Sequence, residues 1–333
     1  MVINSKGEKV MKRLFCLLVI ICLLITFAVS CEEPIVYSNI SSAVEGDYTY
    51  SVAYNQATIL KYNGSDESVT IPSTLDDFSV ISIGDRAFYN CTDLTSVIIP
   101  NLVTSIGNSA FEECKSLTSI IIPTSVTSIG YCTFSDCTDL TSVVIPDSVT
   151  SIGNYVFYQC SNLETIDLGS SVTRISDAAF AECLNLETID LGSSVTSIDM
   201  GAFYGCPNLT SVIIPDSVTS IGDSVFGECS SLETVNLGSS VVSIGNFAFS
   251  WSGITSIIIP DSVTSIGEGA FEGCSNLASS IIIPDSVTSI GGNAFDGCTK
   301  LTDIYCEATI KPEGWDDYWD WGCGATVNWG YSD

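Results

Sequence analysis

The sequence predicts a right-handed parallel β-solenoid of about ten coils, with short turns or single helical turns on its convex side, and three observations carry that prediction. The first is a phrase. Asp-Ser-Val-Thr-Ser-Ile-Gly stands unchanged at Asp147–Gly153, Asp216–Gly222, Asp261–Gly267 and Asp285–Gly291. The second is a period. Phe88, Phe111, Phe134, Phe157, Phe180, Phe203, Phe226, Phe249, Phe271 and Phe295 follow one another at intervals of 23 residues seven times, then 22, then 24. The third is that each unit holds one apolar alternation, always in the same chain direction, so that strands of successive units pair in parallel. Self-similarity at such a period marks a unit that buries its apolar face only against copies of itself.

The elements follow in chain order. Met11-Lys-Arg precedes an apolar run, Leu14–Ser30, that ends in small residues. A basic start, an apolar middle and a small-residue exit describe a secretory signal over residues 1–30, with Met11 as its start. Ala28-Val-Ser-Cys31 resembles a bacterial lipobox, which would make Cys31 a lipidated first residue; the acidic Glu32 and Glu33 after it resemble an export tag. Plain secretion and a retained membrane anchor stay open beside the lipoprotein reading. Residues 31–46 would be a polar tether and residues 47–78 an N-terminal capping segment.

Within the repeats, residues 79–311, Leu117-Thr-Ser-Ile120-Ile-Ile122 illustrates the strand: Ile120 and Ile122 share one face, and Pro123 ends the ladder. Val126, Ile129, Phe134, Cys137 and Leu140 are too scattered for a long helix. They read as a return path of turns with a short strand or one helical turn, with Gly130 and its counterparts allowing the bend. Residues 312–333 hold Trp315, Trp319, Trp321 and Trp329. A carbohydrate platform and an aromatic lid over the last coil are both open to them, and a capping lid is the expectation.

Ile106-Gly-Asn-Ser-Ala-Phe111-Glu-Glu-Cys114-Lys-Ser-Leu117 resembles the repeat of the BspA-type leucine-rich repeat surface proteins at every fixed position, as does the Ile-Pro that closes most units. The resemblance spans roughly residues 47–311. It implies a leucine-rich-repeat solenoid and adhesion at the cell surface, to host matrix proteins or to other microbes.

Fifteen cysteines in an exported chain would ordinarily suggest disulfides. Nine of them, Cys91 to Cys298, instead share one slot three residues after the phenylalanine, with Ser252 or Trp251 near that slot in the deviant unit. Side chains pointing in parallel into a core have the wrong vectors for bridges, so these are expected to be core. Cys306 and Cys323 lie outside the column and are the pair to watch for a bridge.

The chain contains no histidine, which removes the commonest general base and most zinc sites. Neither a phosphate-binding glycine loop nor a Gly-x-Ser-x-Gly elbow occurs. No catalytic, cofactor-binding or metal-ligating residues are therefore assigned. The net charge of −29 becomes −32 once Lys6, Glu8, Lys9, Lys12 and Arg13 leave with the signal. Such a surface repels nucleic acid, and contact with membrane is expected only through the lipid or the signal segment.

A partner-binding face is legible in the strand alternation. Leucine-rich geometry would set it on the concave side, with an outward column of Ile98, Ile121, Val144, Asp167, Asp190, Ile213, Asn236, Ile258 and Ile282. Glu164, Glu187 and Glu233 join it in three units that read Leu-Glu-Thr and end in Leu-Gly. An apolar band followed by an acidic one reads as docking for an extracellular protein. A passive coat without a ligand and an uncommon enzyme or glycan-processing accessory are the alternatives.

Overall fold

The computed structural model describes residues 42–332. The prediction of Cys31 as a lipidation site, with the signal segment and most of the tether, lies outside them. The described chain is a parallel β-solenoid built from two ladders and a stack of turns. Alternation decides which residues enter the first ladder. In Ser119–Ile121, Ile120 is buried while Ser119 and Ile121 are exposed, and the same pattern recurs in Ser142–Val144 and Ser211–Ile213. That ladder begins at Ser68–Thr70 and runs through Ser96–Ile98 and Ser119–Ile121 to Ser142–Val144 and Thr165–Asp167, every pair parallel. It resumes over Thr188–Ile189, Ser211–Ile213 and Thr234–Asn236, and again over Ser280–Ile283, Asp303–Cys306 and Thr326–Trp329.

The second ladder is made by the Ser-Ile of the repeated phrase, as in Ser105–Ile106, Ser128–Ile129 and Ser151–Ile152. At its start the chain folds as a meander: Ser42–Glu45, Tyr48–Ala53 and Gln56–Tyr62 pair antiparallel, and the last of these then pairs in parallel with Phe78–Ile83. The return path thus contains a two-residue strand and turns; no helix occurs among the described residues.

Phenylalanine organises the core. All ten rings of the repeated position are fully buried, and successive rings stack with centroids 5.0–5.6 Å apart and planes within 17° of parallel. Tyr62 stacks on Phe88 at one end and Trp319 meets Phe295 edge-on at the other. The ring column therefore has twelve members, two beyond the expected ten coils. Tyr62 and Trp319 occupy the ring position without the phrase that marks the others.

Each of the ten phenylalanines is held by a tight backbone. The residues two before and two after it have positive φ, as Ala178 and Glu182 do around Phe180 and Tyr155 and Gln159 around Phe157. The amides of those three residues point along the stack: Ser109, Phe111 and Glu113 donate to the carbonyls of Tyr131, Thr133 and Ser135 at 2.8–2.9 Å.

The expected role of Gly130 is corrected. Its φ is not in the left-handed region, and a Cβ there would lie 2.6 Å from the backbone nitrogen of Asn108. At Gly153 the same atom would meet the carbonyl of Gly130 at 2.4 Å. Glycine suits this position because neighbouring coils touch, not because the chain bends. Two coils lack it, with Ser176 and Asp199 in its place. Gly153 donates its amide to the Ile129 carbonyl, whereas at Ser176 the hydroxyl donates to the Ile152 carbonyl at 2.8 Å. The second ladder breaks at that point, between Ser151–Ile152 and Arg174–Ile175.

In the repeated slot, Cys114, Cys137, Cys160, Cys183, Cys206, Cys229, Cys274 and Cys298 are buried, and each of these thiols donates to the carbonyl of the phenylalanine one coil earlier at 3.0–3.2 Å. In the deviant coil Ser252, not Trp251, takes the slot; it is buried and lies 3.4 Å from the sulfur of Cys274. Cys306 and Cys323 are both buried free thiols, not a bridge.

Candidate binding face

The first ladder presents the predicted outward column. Ile98, Ile121, Val144 and Ile213 are 56–73% exposed, while Val97, Ile120, Val143 and Val212 between them and the preceding serines are buried. Registry is direct: Ile98 pairs with Ile121, Val144 with Asp167, and Ile213 with Asn236. Asp167 and Asp190 are joined by an isolated parallel bridge, and both are exposed, as are Asn236, Glu164, Glu187 and Glu233. Ile282 is exposed in the final segment of the ladder. Ile258 is the most exposed of the column, in a coil whose pairing with the preceding coil on this ladder is reduced to an isolated bridge between Thr234 and Ser256. That unit is one residue short, and the ladder does not carry through it.

The structure also extends the column beyond the predicted residues. Thr70 precedes Ile98, and Tyr305 and Asn328 follow Ile282 in register. Leu301-x-x-Ile304-x-Cys306 repeats the strand pattern and was the available signal.

Chemistry on this face is unevenly distributed. Hydroxyls of the flanking threonines are already engaged along the stack. Thr118 donates to the Thr95 carbonyl, Thr210 to that of Glu187 and Thr255 to that of Glu233, at 3.2–3.4 Å. What the apolar coils still offer outward is aliphatic side chains, beside the exposed serines Ser119, Ser142 and Ser211. In the acidic coils, Asp190 accepts the Gly192 amide at 2.8 Å, and the other carboxylates lie open. No group of three or more cysteine, aspartate or glutamate side chains with metal-holding geometry occurs among the described residues.

Perturbed acids lie elsewhere, beside the phenylalanine turns. Burial raises the carboxyls of Glu112, Asp136 and Asp177; burial, then the nearby Glu228, raises that of Glu182. Glu112 is 4% exposed, and its Oε2 has no hydrogen-bond partner. Asp147 and Asp216 move the other way. The amide and then the hydroxyl of Ser170 donate to Asp147, those of Ser239 donate to Asp216, and both carboxyls are lowered. A cavity of about 320 Å³ near the first coils is lined by Lys61, Tyr62, Tyr89, Cys91 and Asp93. Of the described members of the cysteine column, Cys91 alone is not fully buried, and the Cys114 thiol and then Lys61 lower its pKa.

Comparison with known proteins completes the description. Residues 81–210 and 196–312 match the BspA type leucine rich repeat region, in six copies. A leucine-rich repeat protein from Bacteroides ovatus is 35% identical, with a TM-score of 0.75, covering 86% of this chain and 76% of its own. A leucine rich cell surface protein from Faecalibacterium prausnitzii is 29% identical over 87% of this chain and 99% of its own, with a TM-score of 0.43. The pneumococcal vaccine antigen PcpA shares the fold at 15% identity and a TM-score of 0.50, over 81% of this chain and 88% of its own. No curated protein sequence matches. No helix among the described residues is long and apolar enough to cross a membrane.

Proposed function

We propose that this chain, which belongs to the BspA-type leucine-rich repeat family, is a non-catalytic recognition protein of the cell surface whose outward ladder face docks other proteins. Its partners are host matrix or microbial surface proteins, and it is exported, held at the surface through lipid at Cys31 or else secreted. The observation that carries this reading is the row Ile98, Ile121 and Val144. These three large apolar side chains lie in register and are each more than half exposed, beside threonines whose hydroxyls are spent on the backbone. Contiguous exposed apolar surface of this kind marks interaction sites on soluble proteins. The passive-coat alternative assigns that row no ligand.

The test is binding of the purified Cys31→Ser chain to an immobilised panel of matrix proteins and glycans, beside a variant with Ile98, Ile121 and Val144 changed to aspartate. Saturable binding that is lost in the variant, with an unchanged circular dichroism spectrum, is the expected result. Binding that survives the three aspartates removes the row from the site, and silence across the panel favours the coat.

A further inference from the structure

The ladder face is an unpartnered sheet surface, and its charge pattern says what fits it. Beside the uncharged serine and threonine column that includes Ser119, Ser142, Thr165, Ser211 and Thr234, two further outward columns run along the stack. One is Thr95, Thr118, Thr141, Glu164, Glu187, Thr210 and Glu233; the other starts at Ile98. The two change together: wherever the first turns from threonine to glutamate, the second turns from an aliphatic residue to aspartate or asparagine. Charge is therefore introduced across the whole width of a coil. In the two adjacent coils of this kind it is also introduced in register, because Asp167 bridges Asp190 and the Glu187 amide donates to the Glu164 carbonyl.

Neighbouring strands are about 4.8 Å apart, so the four carboxylates form two like-charged pairs stacked directly opposite one another. Like charges in that position destabilise a sheet. No lysine or arginine occupies either column to offset them, and Arg174 and Lys311 pair with Asp199 and Asp317 instead. On one side the square is bordered by Val144 and on the other by Ile213, 60% and 70% exposed. A surface with an uncompensated anionic centre and aliphatic borders is complementary to one chemistry.

We infer that the occupant of this face is a basic, amphipathic polypeptide segment, its lysine or arginine side chains set against Glu164, Asp167, Glu187 and Asp190 and its aliphatic side chains against Val144 and Ile213. The inference rests on the recognition reading above and names the partner's chemistry. Complementary potential of this kind sets partner choice and speeds encounter, and it weakens with salt.

The probe is an alternating leucine–lysine decapeptide, with the leucine–glutamate decapeptide as its counterpart, titrated against the purified Cys31→Ser chain. One variant carries Glu164→Gln, Asp167→Asn, Glu187→Gln and Asp190→Asn; Asn236 already stands at such a position, and an asparagine at 190 can still accept the Gly192 amide. A second removes the same charge elsewhere, through Asp93→Asn, Asp261→Asn, Glu268→Gln and Glu313→Gln, all exposed. The expected result is saturable binding of the basic peptide only, weakened roughly tenfold by the first variant and less than about twofold by the second. Equal losses in both variants reduce the effect to the general field of an acidic protein and overturn the inference, as does no loss in the first. If panel proteins bind through Ile98, Ile121 and Val144 while the basic peptide ignores the four amides, recognition stands and this partner assignment falls. The reverse pattern leaves the carboxylate site standing and removes the apolar row.

Discussion

Phe180 lies in the middle of the ring column, fully buried, with Phe157 at 5.5 Å and Phe203 at 5.4 Å between centroids. Changing it to alanine removes a buried aromatic side chain and leaves a hole that the rigid coils cannot close, a loss of about 3–5 kcal/mol. Changing it to leucine keeps most of the volume and removes the two stacked contacts. At about 0.5–1.5 kcal/mol each, these cost about 1–3 kcal/mol. A solenoid holds together through nearest-neighbour terms, so the alanine variant should also weaken the coupling between its two halves. The assay uses a feature of the sequence: all five tryptophans lie between positions 251 and 329. Their fluorescence reports the C-terminal coils, and circular dichroism reports the whole stack. Urea titration of the parent should give one transition by both probes, and Phe180→Ala should separate them. If the two probes still coincide and the midpoint shift corresponds to less than about 1 kcal/mol, the ring column is not the spine of the fold.

Three further outcomes follow from the same geometry. Gly153→Ala should destabilise by about 1–3 kcal/mol or more, because its Cβ meets the backbone of the previous coil at 2.4 Å. Gly192→Ala, with open space around it but φ +64°, should cost about 1 kcal/mol; equal thermal shifts for the two would refute the close-approach argument. Thiol labelling of the native protein should modify Cys91 ahead of the buried column, where burial pushes Cys229 and Cys274 up to about 12; simultaneous labelling would contradict the core assignment. Stability against pH should have a maximum. The raised carboxyls of Glu112, Asp136, Asp177 and Glu182 make the folded state bind more protons than the unfolded one, so stability rises as pH falls through their folded values toward the ordinary carboxylate range near 4. The lowered carboxyls of Asp147 and Asp216 act oppositely, and their contribution is lost as pH falls below about 4 through their folded values. Glu112→Gln with Glu182→Gln should flatten the first limb and Asp147→Asn with Asp216→Asn the second, in thermal melts across pH.

Much of this was legible in the sequence, and the reason is physical. Alternation places Ile120 inward and Ile121 outward whatever the neighbours are, and a fixed slot makes a core of the cysteines. Both follow from period alone. The two terminal coils escaped because Tyr62 and Trp319 fill the ring position with different residues and without the Ser-Ile-Gly phrase. The left-handed positions beside each phenylalanine were invisible, since residues such as Ala178, Tyr155 and Gln159 give no local sign of positive φ. Gly130 was assigned a bend because glycine serves both turns and close approach, and only the position of the neighbouring coil separates them. Within the candidate face the column was readable, but the break at Ile258 was not: a one-residue deletion shows in the sequence, while its effect on pairing depends on the coil beneath.

The hydrogen bonds between coils, from Ser109 to Tyr131 and from Gly130 to Ile106, all run along the stack. A surface protein pulled from its two ends therefore loads those bonds one after another rather than all at once. Each coil that peels away trades about 5 Å of stack for about 80 Å of extended chain. Under tension such a chain lengthens in steps and lowers the load between its ends. Single-molecule pulling should record that sawtooth, with a step size set by the 23-residue period.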